Sequence, residues 1–577
     1  MKLKSVNIHN FRSIKDASLK LYDYSLLVGA NNAGKTNLLT ALRIFYEDDI
    51  KFDEKNDFPK FQTDDNESWI DIEFLLMSEE FASLKDDYKN PGNILRVRKY
   101  LKSVDKDKIK AGQSNIYGYE KGTLSENLFY GAKNISQAKL GNVIYIPETT
   151  QTSETLKLSG PSPLRNMINF VVEKVVVSSG SFQGLSESFE EFNREFREEQ
   201  SKEGFSLLSL IKDINDSLKE WKVKFGININ PLKPAEIVRN LVSSHVIDEI
   251  LDAEINIRNL GQGLQRHIIY TLLRLSSLYT EKKVYKKKEF SPELVLILFE
   301  EPEAFLHPCQ QESLNRSIRT LASEEGQQAI ISTHSPIFVS RNVEELPSLI
   351  KLKRDSGVTS IYQVSEENKK IIIEQNSRLA QYLRSKVDDP SVDPETKQKI
   401  RSKLGAVSDT TRMEEESIRY VLWLDSTRCS AFFADVILIC EGATEKTFID
   451  YLIENEWENL QGSRACILDA MGKYNIHRYM NLFKELGILH SLLLDKDENA
   501  QIHGFINGFI ENQKNEYTRR IHFFEKDIEH FLGVNPPPEN RRDKKPLNVM
   551  WHYFQGKIEK ERIEKLRTVI ESLLSVS

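Results

Sequence analysis

The sequence predicts an α/β protein made of two separate α/β units, and three observations carry that prediction. Apolar runs such as LVLILF at 294–299 and DVILIC at 435–440 have the length and continuity of buried strands. Each run ends in acidic residues, which puts polar chemistry at strand ends. Charged, helical stretches at about 160–250 and 365–430 divide the strand-bearing regions. At 577 residues the chain is also too long for one hydrophobic core, so two or three domains are expected.

Taken in order, KLKSVNIHNF and ASLKLYDYSLLVG read as strands, KTNLLTALRIFYED as a helix and ESWIDIEFLLM at 67–77 as another strand. The segment SESFEEFNREFREEQSKEG typifies the first helical region. It reads either as an insertion that bundles with itself or a second subunit, or as a solvated amphipathic helix on a monomer. Residues 261–351 return to α/β character, with strands at 294–299 and 328–332. DDPSVDPETKQK at 388–399 has the composition of a linker. The remainder opens on DVILICE and again alternates strands with helices.

Composition removes several classes. The chain is 40% hydrophobic and 29% charged, as in ordinary globular proteins. Its longest apolar runs fall far short of the ~20 residues of a membrane-spanning helix. The N-terminal MKLKSVNIHNFRS has no apolar signal region, so a cytoplasmic protein without membrane attachment is expected. Four cysteines (Cys309, Cys429, Cys440, Cys466) never form C-x-x-C, which argues against a disulfide framework and a zinc ribbon. The net charge of −7 neither supports nor excludes nucleic acid, because local patches decide that question.

GANNAGKT at Gly29–Thr36 is G-x-x-x-x-G-K-T between a strand and a helix, the context that makes it a P-loop. Backbone N–H groups there, including those of Asn32 and Gly34, would curl round phosphate oxygens at the helix N-terminus. Lys35 would reach the β- and γ-phosphates of ATP, Thr36 would ligate Mg²⁺, and Asn37 completes the ATP-binding set. LVLILFEEPEAFLHP ends a buried strand in two carboxylates. Glu300 sits where the Mg²⁺-holding acid belongs and Glu301 where the base that orients the attacking water belongs. Two adjacent buried acids are costly without a cation. QAIISTHSP places His334 after the next strand, where the histidine of ABC-type ATPases, which this segment resembles, senses the γ-phosphate, although a lone histidine can also be structural. NLGQGLQR at 259–266 resembles the ABC signature loop, which would bring Gly263 and Gln265 to ATP held on another subunit, although a plain turn before a helix reads the same way.

In the C-terminal region DVILIC runs into EGATEKTF, with Glu441 at the strand end and Glu445 four residues on. HSLLLDKDEN ends in Asp495 and Asp497, two apart and therefore expected to share one face of a strand. CILDAMGKYN between them offers Gly472 for close backbone approach. Hard divalent cations take such oxygen ligands, and two of them can hold the attacking and leaving oxygens of a phosphodiester displacement. Farther on, FFEKDIEHFLG carries Asp527 and Glu529, and RRDKKP carries Lys545. By resemblance to Toprim nucleases, Glu529 would support a second metal and Lys545 the transition-state charge, although a basic tract before proline also suits a solvated loop.

The P-loop, GQGLQR, EEPEAFLHP and THSP, in a chain with NFRSIKD near its start, resemble the SMC/RecF-like ABC ATPases. EGATE followed by DKD resembles a Toprim domain. Together they resemble the OLD (overcoming lysogenization defect) family of nucleases over essentially the whole chain. The resemblance implies an ABC-type ATPase with a helical dimerisation insertion, then a Toprim domain. Its domains would be 1–160 and 251–365 for the ATPase, 161–250 for the insertion, 366–430 for a helical linker and 431–577 for Toprim. It also implies ATP hydrolysis, Mg²⁺- or Mn²⁺-dependent DNA cleavage, a homodimer or higher homo-oligomer and a role in anti-phage defence. Some members of the family act with a helicase-like partner or with a reverse transcriptase and its RNA–DNA product. The alternative is an SMC/RecF-like DNA-repair ATPase whose Toprim end is a non-cleaving scaffold.

Overall fold

The computed structural model describes the chain apart from residues 48–49, 149–167, 169–179, 220–221, 228–245, 256–258, 262, 266–267, 270, 273–274, 276–289, 291, 293, 341, 405–423, 462–464, 498–500 and 576–577. The chain divides into two compact units, one of residues 1–148 with 287–577 and the other of residues 149–286.

The larger unit holds three sheets. The first is antiparallel, in the order β2-β1-β4-β5-β6-β7, from β1 (Lys2–Phe11), β2 (Ile14–Lys20), β4 (Ser68–Leu75), β5 (Ile94–Lys102), β6 (Ile116–Glu120) and β7 (Thr123–Leu128). Along β2, Ala17 and Leu19 are buried while Asp16, Ser18 and Lys20 are exposed, so one face lies on the core and one in solvent. The second sheet has the order β14-β13-β3-β12-β11-β8. It comprises β3 (Tyr24–Val28), β8 (Asn142–Ile146), β11 (Val295–Glu300), β12 (Gln327–Ser332), β13 (Leu349–Asp355) and β14 (Val358–Gln363). All its pairings are parallel except β13 with β14. β3 and β12 are buried at every residue, and their apolar segments Leu26–Val28 and Ala329–Ile331 suit strands covered on both faces. Helix α1 (Lys35–Phe45) follows β3 and buries Leu38, Leu39, Leu42 and Phe45.

The smaller unit contains α2 (Gly180–Glu198) and α3 (Leu207–Leu218), as the charged pattern predicts. It also holds a short antiparallel pair, β9 (Val246–Asp248) with β10 (Ala253–Ile255), whose first strand falls in the stretch expected to be helical and whose second lies just beyond it. Asp248 Oδ1 accepts the Ile250 and Leu251 N–H groups, and this side-chain turn diverts the backbone from a helix. Much of 161–250 lies outside the described residues, and so do most of residues 266–289.

Back in the larger unit, α4 (Pro308–Ala322) joins β11 to β12. Two further helices, α5 (Glu366–Val387) and α6 (Pro394–Leu404), follow β14. The DDPSVDPETKQK stretch is only partly a connector, because its second half is the start of α6. Asp393 caps that helix by accepting the Thr396 N–H at 2.8 Å, and Pro394 occupies the first helical position, where its missing N–H costs nothing. The third sheet is all parallel, in the order β16-β15-β17-β18. Its strands are β15 (Val436–Cys440), β16 (Ala465–Asp469), β17 (Leu489–Asp495) and β18 (Thr518–Phe524). Its helices are α7 (Ala443–Asn455), α8 (Ile476–Glu485), α9 (Gln501–Asn512), α10 (Ile528–Leu532), α11 (Lys545–Phe554) and α12 (Lys560–Leu574). Val436, Leu438, Phe448, Leu493, Phe524 and Leu566 share one core there.

Candidate nucleotide and metal centres

Both centres lie where open parallel sheets bind ligands, beyond the C-terminal ends of adjacent strands. In the second sheet β3, β12 and β11 are neighbours, so the residues after them meet. The Glu301 N–H donates to Ser332 O at 2.8 Å and the Thr333 N–H to Leu27 O at 3.2 Å, which locks the three strand ends together.

The P-loop turn depends on two glycines. Gly29 has φ 151°, and a Cβ there would stand 2.3 Å from the Leu352 carbonyl; Gly34 has φ 106°, and a Cβ would stand 2.5 Å from Thr359 Oγ1. The Lys35 ammonium donates to Gly29 O at 2.9 Å and to Ala30 O at 3.2 Å, and lies 2.8 Å from His334 Nε2. Burial lowers the Lys35 pKa to about 8 against the opposing pull of Glu301, Glu303 and Glu300. Burial and then the Lys35 charge bring His334 down to about 4, so its imidazole is neutral at physiological pH. It can therefore accept from Lys35.

Thr36 Oγ1 donates to Glu300 Oε1 at 2.5 Å, which puts the two predicted Mg²⁺ ligands together. Glu301, at φ 46°, stands 3.3 Å from His334 Nε2. Asn32 accepts from Arg354 at 2.8 Å, and Asn37 donates to Ser13 Oγ at 2.7 Å. Three further residues that the motifs alone do not assign contribute to the site. Tyr145 on β8 donates to Glu300, Glu303 accepts the His334 N–H at 2.5 Å, and Arg354 holds Asn32. Glu303 was visible as the last acid of EEPE, whereas Tyr145 is brought in by the pairing of β8 with β11, which no local pattern announces. In the smaller unit Gln265 donates to Leu260 O at 2.7 Å, and Gly263 and Gln265 lie in a helical turn after Gly261.

At the second centre, Glu441 follows β15 and Asp495 ends the adjacent β17. Ligand oxygens of Glu441, Asp495 and Asp497 all lie within 4.8 Å of one another. Asp497 converges for a different reason from the one its spacing suggests. β17 ends at Asp495, and Asp497 turns back in the left-handed region at φ 50°. The Lys496 N–H donates to Phe524 O at 3.0 Å, which fixes the turn to β18. On the other side the Gly472 N–H donates to Glu441 O at 2.8 Å, with Gly472 at φ 104°.

Lys473, which the sequence reading passed over although it follows Gly472 directly, is buried in the middle of these acids. Its ammonium donates to Asp495 O at 2.7 Å and lies 3.0 Å from Asp497 Oδ2 and 3.4 Å from Glu441 Oε2. Burial raises the Asp495 carboxyl, and neighbouring Glu445, Glu441 and Asp497 push it further. Glu441 is likewise raised by burial, with Lys473 opposing.

Glu445 lies outside the closest trio. It is buried in the first turn of α7, and its Oε2 accepts the Gly442 N–H at 3.1 Å. Burial raises it, with Glu441 and Glu529 adding. Glu529 is 1% exposed and Lys545 Nζ stands 3.3 Å from it. Burial alone would lower Lys545, but the Glu529 and Asp527 charges outweigh it and raise the pKa. Lys545 is thus the first residue of a helix paired to a buried acid. Asp527 caps α10 by accepting the His530 N–H.

The donor set fits hard divalent cations: oxygens only, converging, with the buried carboxylate oxygens Glu441 Oε2 and Glu529 Oε1 held by ion pairs to Lys473 at 3.4 Å and Lys545 at 3.3 Å rather than by well-formed hydrogen bonds. Such an arrangement can bind a divalent ion and offer it a phosphodiester.

Comparison with known proteins agrees with this geometry. A family model described as AAA ATPase domain matches residues 1–339. A model described as overcoming lysogenization defect protein-like, TOPRIM domain, matches residues 432–497. The Old nuclease of Escherichia phage P2 is 24% identical over 508 residues, covering 86% of this chain and 77% of the phage protein. An OLD nuclease of Thermus scotoductus is 23% identical over 508 residues, covering 86% and 82%. Endonuclease GajA of Bacillus cereus is 22% identical over 518 residues, covering 86% and 75%.

Proposed function

We propose, for a chain that belongs to the AAA ATPase domain family and carries an OLD-like Toprim domain, that ATP at the first centre governs cleavage of DNA by divalent metal at the second. The protein is an ATPase and an endonuclease. The observation that carries the proposal is the convergence of Glu441, Asp495 and Asp497 at the ends of β15 and β17, in the same compact unit as a complete P-loop centre.

At the first centre the P-loop N–H groups and Lys35 bind the β- and γ-phosphates. Thr36 and Glu300 would hold Mg²⁺, Glu301 orients the attacking water, and neutral His334, kept in place by Glu303, donates a ring N–H to the γ-phosphate. Gly263 and Gln265 are assigned to the ATP of a second copy, which makes the working unit a homodimer or larger.

At the second centre Glu441, Asp495 and Asp497 would hold one Mg²⁺ or Mn²⁺, and Glu445 with Glu529 a second. The bound ions would supply Lewis-acid polarisation of the phosphodiester and a nucleophilic water. Lys473 keeps the acids together, and Lys545 faces the charge that develops on the phosphate. The biological role proposed is defence against phage, from the resemblance to OLD proteins. Co-purification decides whether the chain works alone or with a reverse transcriptase or helicase-like partner.

Supercoiled plasmid incubated with the purified protein tests the reading. Conversion to nicked and linear forms with Mg²⁺ or Mn²⁺, blocked by EDTA, is expected. No conversion with either metal, with or without ATP, contradicts it and favours a scaffold role for the Toprim unit.

A further inference from the structure

Resting on the nuclease reading, we infer that α6, from the connecting helical region, forms a wall beside the Toprim centre and binds the DNA backbone through Lys399 and Lys403. The helical pair α5–α6 is not a free tether. α5 packs on α8 and α9, and α6 packs on α9. His477 Nε2 of α8 donates at 3.0 Å to Asn376 O of α5, and Asn481 Nδ2 donates at 2.9 Å to Asn376 Oδ1.

Thr396 and Ile400 form the buried side of α6. Lys399 and Lys403, four residues apart, therefore share one exposed flank. That flank lies beside the metal centre. The Lys403 ammonium sits 4.2 Å from the centre of the Tyr474 ring, and Tyr474 immediately follows Lys473. His503 on α9 stands 3.5 Å from Asp497 and is within electrostatic reach of both Lys399 and Lys403. Lys403 has no ion-pair partner among the described residues. Among the described residues Lys399 pairs only with Glu395, at 2.7 Å, in a largely exposed contact of little net worth that a phosphate can displace.

The centre itself is rich in carboxylates, and an approaching polyanion needs cations on its rim. Tyr474 and the two lysines supply a cationic, partly aromatic edge one residue from Lys473, which lies among the acids. The partner this edge suits is the phosphate backbone of the strands flanking the cleaved bond, read without base specificity.

The test is binding of a short fluorescent duplex by the full-length protein with Ca²⁺ in place of Mg²⁺, from about 50 to about 200 mM salt. Lys399→Ala/Lys403→Ala is expected to weaken binding and to flatten the plot of log affinity against log salt by about 1.8, about 0.9 per lost phosphate contact. Lys399→Arg/Lys403→Arg is expected to keep the wild-type slope. An unchanged melting temperature of the alanine variant shows that folding is intact, as expected for exposed side chains. Wild-type slope and affinity in the alanine variant would overturn the inference. A wild-type protein that neither binds nor cuts DNA would instead overturn the nuclease reading beneath it.

Discussion

The Lys473 ammonium lies 3.0 Å from the Asp497 carboxylate, buried at 2% exposure among the acids of the metal centre. Taking one member from a buried charge pair typically costs about 3–5 kcal/mol, because the remaining charge is left uncompensated. Lys473→Met should therefore lower the melting temperature of the metal-free protein. Added Mn²⁺ should raise it by more than in wild type, since the cation becomes the chief counter-charge. Differential scanning fluorimetry with and without EDTA measures both. A metal-free melting temperature equal to wild type contradicts this role.

Burial raises Asp495, Glu441 and Glu445 above the ordinary carboxylate range. Above about pH 4 the unfolded chain has released protons that the metal-free native state still holds. With more protons on the native state, this contribution to metal-free stability falls as pH rises through the raised native values. A cation competes with those protons, so metal affinity moves the other way and increases with pH. Calorimetric titration with Mn²⁺ should give tighter binding at about pH 8 than at about pH 6, with proton release on binding. Affinity that is flat or falls with pH goes against the assignment.

Lys35 and Glu301 should separate binding from turnover at the nucleotide centre. Lys35→Ala removes the cation that faces the phosphates and should abolish ATP binding. Glu301→Gln keeps the shape of the site and should retain binding while slowing hydrolysis by about a hundredfold. A fluorescent ATP analogue and a phosphate-release assay read the two quantities. Wild-type hydrolysis by Lys35→Ala would sink the P-loop assignment.

Much of this architecture is readable from local pattern because the chemistry sits at strand ends. An apolar run that stops at Glu300, Glu441 or Asp495 marks both a buried parallel strand and the edge where ligands bind. What sequence could not supply is the meeting of elements distant in the chain. Tyr145 reaches Glu300 because β8 pairs with β11, a partnership between residues about 150 positions apart. Asp497 reaches Asp495 through a left-handed turn rather than by strand alternation, and a D-x-D spacing is silent about which applies. Lys473 reads as a loop residue after a glycine until the parallel pairing of β15 with β16 and β17 closes the acids around it. The α5–α6 pair reads as a linker because its polar, proline-bearing composition resembles one, while its small buried face is decided by tertiary packing.

The most direct test of the central claim is plasmid cleavage by Asp495→Asn beside wild type, with Mg²⁺ or Mn²⁺ and with ATP hydrolysis followed in the same samples. The substitution preserves the volume of the side chain and removes its charge from the metal-holding trio. Loss of nicking and linearisation with ATP hydrolysis retained is the predicted result. Cleavage at the wild-type rate would contradict the placement of the nuclease centre at Glu441, Asp495 and Asp497.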